Sequence, residues 1–223
     1  NGAMVIDQRN AGASVTVVYG NIYTLDRYLI ISAQTSKLSV QQNAGAVTPP
    51  VGFSNYLGVT SLSAYSLIST DSFSVIQQIE GYNIADLDFG TANAKTVTIS
   101  FWVRSSLTGT FGGNISNGTR FYAFSYTITS ANTWEQKTIT IAGDTTGTWL
   151  KTNGAGLILT FGLGQGSTYS GTAGAWTTNT ALNVTGATSV VGTNGATFYI
   201  TGVQLEVGDT ATSFDYRPYG QEL

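Results

Sequence analysis

"KTVTISFWVRSS", residues 95–106, alternates apolar and polar side chains for eight positions. Val97, Ile99, Phe101 and Val103 fall on one face of an extended chain. Thr98, Ser100, Trp102 and Arg104 fall on the other. A period of two is the signature of a strand with one face in a core. "SFSVIQQIEG" (72–81) repeats the pattern, with Phe73, Val75, Gln77 and Ile79 opposed to Ile76, Gln78 and Glu80. "RFYAFSYTI" (120–128), "EQKTITIAG" (135–143), "GLILTFGLG" (156–164) and "ATFYITGVQLEVG" (196–208) read as further strands. Nearer the start, "MVIDQR", "YTLDRYLIISA", "KLSVQQ" and "NYLGVTSL" read as shorter ones. The clusters "GTFGGNISNGT", "GDTTGT", "TNGAG", "GQGS" and "GTNG" read as turns, where Gly and Asn accept a positive φ. No long helical period occurs, and "NIADLDFG" (83–90) fits a single helical turn.

About ten strands at this spacing predict an all-β fold, a two-layer antiparallel sandwich of jelly-roll type. A single module spans 1–223. Residues 1–50 are early strands of the sandwich or an N-terminal arm, and Pro49–Pro50 mark the weakest boundary.

Charged residues make up only 9% of the chain, and the net charge is −3. Nine scattered basic residues form no stripe for nucleic acid and no polybasic membrane patch. No apolar run is long enough to span a bilayer as a helix. The first ten residues lack the basic and apolar regions of a signal peptide. Cysteine is absent, so disulfides and thiolate metal sites are excluded.

Histidine is absent too, which removes Ser-His-Asp and Cys-His catalysis. "GLGQGS" (162–167) is not followed by a helical pattern and so is not a dinucleotide loop. A glycosidase needs two placed carboxylates. Glu80, Asp86, Asp88, Glu135, Glu206 and Asp209 offer acids, but no pair stands out, and the reading is not an enzyme. Glu80 is expected to pair with Arg104 across the sheet. No cofactor is expected; Asp86 and Asp88 are a weak Ca²⁺ candidate.

Aromatic rings among amides and hydroxyls fit sugar recognition. A ring stacks on the C–H face of a pyranose, and amides bond its hydroxyls. Trp176 and Tyr169 lie in or beside a Gly-rich polar stretch, and with Trp149, Tyr122 and Gln78 they are the candidate glycan contacts. Trp102 and Trp134 accompany strong strand patterns and are expected in the core.

"NGAMVIDQRNAG" (1–12), "YTLDRY" (23–28), "QQIEG" (77–81), "VTISFWVRSS" (97–106), "TWEQKTITIAGDTTGTW" (133–149) and "ITGVQLEVGDTATSFDYRPYGQEL" (200–223) follow in a characteristic order. This order resembles a module of tail-fibre and other virion structural proteins of tailed bacteriophages, which is similar to jelly-roll carbohydrate-binding modules. Relatives often carry Trp where this chain has Tyr28. The resemblance implies a non-enzymatic virion protein, assembled in the host cytoplasm and exposed on the particle. It implies other virion subunits as partners, a homotrimer, and attachment to bacterial surface polysaccharide. The alternative is a capsid decoration or fibre component without glycan binding. The aromatic tail, residues 209–223, is expected to pack on its own domain or a neighbour, with Phe214, Tyr216, Arg217 and Tyr219 as the subunit seam.

Overall fold

Strict alternation over residues 97–105 buries Val97, Ile99, Phe101 and Val103 completely and turns Trp102 and Arg104 outward. The same rule builds the rest of the computed structural model, which describes residues 1–217 and Gly220. In chain order the strands are β1 (Val15–Thr16), β2 (Gly20–Tyr23), β3 (Tyr28–Ser32), β4 (Leu38–Gln42) and β5 (Leu57–Ser61). Then come β6 (Ser72–Glu80), β7 (Val97–Ser105), β8 (Gly109–Ser116), β9 (Phe121–Ile128) and β10 (Glu135–Ile141). The last are β11 (Ala155–Gln165), β12 (Ser170–Gly171), β13 (Trp176–Thr177), β14 (Asn183–Val184) and β15 (Thr197–Val207). Short 3₁₀ turns occupy Ala44–Ala46, Gly81–Leu87 and Ser167–Tyr169.

Two antiparallel sheets face each other. One has six strands in the order β1-β4-β5-β15-β7-β10, the other seven in the order β13-β9-β8-β11-β6-β3-β2. β12 and β14 form a separate parallel pair. This is the expected jelly-roll sandwich. Phe101 of the first sheet meets Phe161 of the second at 5.0 Å between ring centres, and Phe198 meets Phe111 at 6.2 Å. Residues 1–50 contribute β1 and β4 to the six-stranded sheet and β2 and β3 to the seven-stranded one.

Two expectations are corrected. "GTFGGNIS" is a central strand, β8, and not a turn. Its glycines serve close approach. A Cβ on Gly113 would stand 1.9 Å from the Thr160 carbonyl oxygen, and one on Gly112 would stand 2.5 Å from Asn183 Oδ1. "MVIDQR" is not a strand. Met4 takes a left-handed φ of 58°, and the segment is tied down by side chains: Asn1 Nδ2 donates to the carbonyls of Ile6 and Asp26, and Gln42 Nε2 to that of Met4.

One irregularity decides which side chains share a face with Trp102. The register of β15 against β7 slips between Thr201 and Gln204, and Gly202 adopts φ 61° there. A β-bulge adds one residue and shifts the alternation. Phe198 and Ile200 point inward before it, Val203 after it, and Gln204 and Glu206 therefore join Thr201 on the outer face.

Candidate ligand-binding site

The five residues proposed as glycan contacts do not converge. Trp149, Trp176 and Tyr122 form an aromatic corner with Phe89. Trp176 lies 5.3 Å from Tyr122, 5.5 Å from Trp149 and 5.8 Å from Phe89, all edge-on. Trp149 is only 6% exposed, and its Nε1 donates to Asp144 Oδ2 and the Thr146 carbonyl at 3.3 Å each. A ring so enclosed presents no face to a sugar, so Trp149 is corrected to a core residue. Trp176 Nε1 donates to the Ala142 carbonyl at 2.7 Å, which fixes the short strand β13 to the sandwich edge. Asp144 anchors this corner through Arg120, with bonds of 2.8 and 2.9 Å. Burial alone would raise the Asp144 carboxyl; the Arg120 guanidinium and Thr146 outweigh it and hold it below the ordinary range.

Tyr169 ends the Ser167–Tyr169 turn half-buried, and its carbonyl accepts the Leu182 amide. Gln78 is exposed on the outer face of the seven-stranded sheet, opposite Ile158. Glu80 pairs with Arg27 at 2.7 Å and not with Arg104, because the two stand on different sheets. Asp88 faces Lys151 at 3.9 Å, and the described residues contain no group of three acids able to hold a metal.

The tail meets its own domain. Phe214 lies 5.2 Å from Phe53 and 4.8 Å from Tyr216, whose hydroxyl donates to the Gly52 carbonyl. Arg217 lines a cleft of about 610 Å³ beside the second half of β15, together with Gln77 and Glu206. Tyr219 lies outside the described residues.

The tryptophan expected in the core supplies the clearest surface. Trp134 packs on Tyr56 at 5.4 Å in a small cluster apart from the main core, and its Nε1 donates to the Thr48 carbonyl. Trp102 differs from the other three. Among the described residues its ring touches no aromatic ring and its Nε1 has no acceptor. It sits half-buried in the middle of the outer face of the six-stranded sheet, between Gln136 of β10 and Thr201 of β15. Ser100 and Arg104 flank it on its own strand, and Thr138 stands opposite Ser100.

The platform has one wall and one open side. On the β15 side, Thr201 Oγ1 donates to the Asn55 carbonyl, and the Gln204 amide accepts the Asp215 N–H at 2.7 Å and donates to the Ser213 carbonyl. The loop before β5 and the tail therefore rise beside the ring. On the β10 side Gln136 and Thr138 are exposed, and neither side chain has a hydrogen-bond partner among the described residues. Arg104 lies at one end. Its Nε donates to the Asn132 carbonyl at 3.0 Å, and its guanidinium stands 5.5 Å from the centre of the Tyr199 ring. The signal for this site was present in the sequence: the alternation that buries Phe101 must turn Trp102 outward, among polar neighbours.

No family model and no curated protein matches the chain. Solved structures do. A putative sugar-binding protein from Bacteroides thetaiotaomicron matches at 11% identity with a TM-score of 0.50, covering 92% of this chain and 99% of that one. A family 11 carbohydrate-binding module from Clostridium thermocellum, solved with a mixed-linked tetrasaccharide, matches at 11% with a TM-score of 0.43, covering 87% and 95%. The enzymatically active domain of tailspike protein 4 of bacteriophage CBA120 matches at 12% with a TM-score of 0.45 over 82% of this chain, but only 19% of that one. At these identities the likeness is one of fold alone: the chain is an all-β two-sheet sandwich, a fold it shares with the Bacteroides protein.

Proposed function

We propose that this protein binds carbohydrate without altering it, through the Trp102 platform. The observation that carries the reading is the half-buried indole of Trp102 on the outer sheet face, with no ring partner and no Nε1 acceptor among the described residues. An indole turned outward among polar neighbours offers a flat apolar face on which a sugar ring can stack. The polar rim of Gln136, Thr138 and Arg104 is the complement a sugar needs. Carboxylates that could cleave a glycoside are placed against that role. Glu80, Glu135, Asp144 and Glu206 are each bonded by their own chain and held below the ordinary range, whereas a general acid must be raised.

We place this binding on a phage virion, where a homotrimer of weak sites would grip bacterial surface polysaccharide by avidity. The order of motifs along the chain supports that placement. A second reading, a subunit of a fibre or capsid that binds no glycan, is favoured by the fully exposed Val51 beside the Phe53–Phe214–Tyr216 cluster.

The test is a glycan array followed by titration calorimetry. Trp102→Ala is expected to weaken binding by about tenfold or more, since a stacked ring contributes on the order of 1–2 kcal/mol. Tyr169→Ala and Gln78→Ala are expected to change little. Binding that survives in Trp102→Ala would move the site elsewhere. No binding by the trimer to any glycan would favour the purely structural reading.

A further inference from the structure

We infer that the platform selects acidic glycans, with Arg104 as the receptor for a carboxylate carried on the sugar; this rests on the Trp102 reading. Five other cations have a carboxylate of their own chain. Arg27 holds Glu80, Arg120 holds Asp144, Lys137 holds Glu135, Lys151 faces Asp88 and Arg9 faces Asp26. Arg104 has none within 4.0 Å among the described residues, although it is half-buried. Its hydrogen bond to Asn132 uses only Nε, and both terminal nitrogens are without an acceptor among the described residues.

The guanidinium is also held in place. Tyr199, over whose ring it stands, is only 4% exposed and is backed by Tyr56 at 5.1 Å. Gly58 makes room for that ring, since a Cβ there would lie 3.0 Å from it. On the other side Asn132 takes a left-handed φ of 58° and donates its N–H to the Ser105 carbonyl at 2.7 Å, which fixes the carbonyl that Arg104 bonds. A planar fork held by a ring and one hydrogen bond has little entropy left to lose on binding. Its two remaining nitrogens match the two oxygens of a carboxylate.

Position completes the case. Arg104 and Trp102 lie on one face two residues apart, roughly 7 Å along the strand. A sugar stacked on the indole therefore brings its own or its neighbour's carboxylate within reach. The acid on this face, Glu206, stands opposite Thr98, six residues along β7 and roughly 20 Å away. Glu135, beside Val103, faces inward and is bonded to Lys137. Neither neutralises the Arg104 end.

The experiment compares trigalacturonic acid, its methyl ester, neutral galactotriose and a sulfated galactotriose by calorimetry, on the whole chain. The wild type is expected to bind trigalacturonate at least about tenfold more tightly than the ester or the neutral sugar, as a charge-assisted bond allows. Raising salt should erase that margin. Arg104→Gln should lose that margin, so that the acid and its ester bind alike, and Arg104→Lys should recover only part. Unchanged melting of Arg104→Gln separates lost recognition from lost folding. Equal affinity for acid and neutral sugars, both lost in Trp102→Ala, would overturn the inference and leave the platform standing. Preference for the sulfated sugar alone would overturn the carboxylate assignment. Trigalacturonate binding untouched by Trp102→Ala would overturn the platform itself.

Discussion

Trp102 and Gly113 show how a single side chain is placed by parity and by space. On β7 the alternation assigns Trp102 to the outer face, where among the described residues its indole meets no other ring and its Nε1 no acceptor. Its side of the strand is legible in the sequence; its exposure is not, because a strong strand pattern does not say which of its large residues another layer covers. Gly113 is the converse. In the sequence it stands among glycines that look like a turn. In the structure it lies where the β11 backbone passes too close for any side chain, and a Cβ would meet the Thr160 carbonyl oxygen at 1.9 Å. Backbone oxygen cannot swing aside as a flexible side chain can. Gly113→Ala is therefore expected to destabilise the protein by about 2–3 kcal/mol, measured as a lower urea midpoint. An unchanged midpoint would mean that β8 and β11 can separate at little cost.

At the scale of the element, β10 matters most, because it borders the platform and pairs with β7 alone. An unpaired strand edge invites another chain. Lys137 sits in the middle of this edge strand on its inward face, and its Nζ lies 2.6 Å from Glu135 Oε2. An inward-pointing charge is a known guard against edge pairing, since a second strand would have to bury it. Lys137→Val is expected to produce concentration-dependent association in light scattering, while Gln136→Ala is not. A Lys137→Val protein with the oligomeric state of the wild type would show that the guard lies elsewhere. β15 carries the other element-scale lesson. Its apolar positions change phase at Gly202, a break visible in "FYITGVQLEV", yet its effect appears only when the bulge is seen to put Gln204 and Glu206 on the same face as Trp102, opposite Ser100 and Thr98.

The whole molecule titrates simply. Without histidine, no side chain of ordinary pKa changes charge between about pH 5.5 and 8, so melting should be flat across that range. The carboxylates then set the acid limit. For Glu135, burial raises the carboxyl, but Lys137, Ser130 and Thr129 outweigh it and bring it from 4.5 to about 2. A depressed pKa contributes stability that is present above the unfolded value and is lost as pH falls through the folded one. Melting temperature should therefore drop between about pH 4.5 and pH 2, and Glu135→Gln should make that drop shallower. A wild type that melts alike at pH 2 and pH 6 would contradict this. The sequence by itself determined the sandwich, because a period of two with Gly and Asn turns has few other ways to bury its apolar faces. It also determined that Trp102 lies on the strand face opposite Phe101 and that histidine and thiol chemistry are absent. Only the tertiary structure decided that Trp149 is enclosed, that Glu80 answers Arg27 and that Arg104 has no carboxylate partner among the described residues. Those outcomes depend on which sheet each strand joins and which loop lies over it. Such pairings come from contacts between residues distant in the chain, and local pattern carries no record of them.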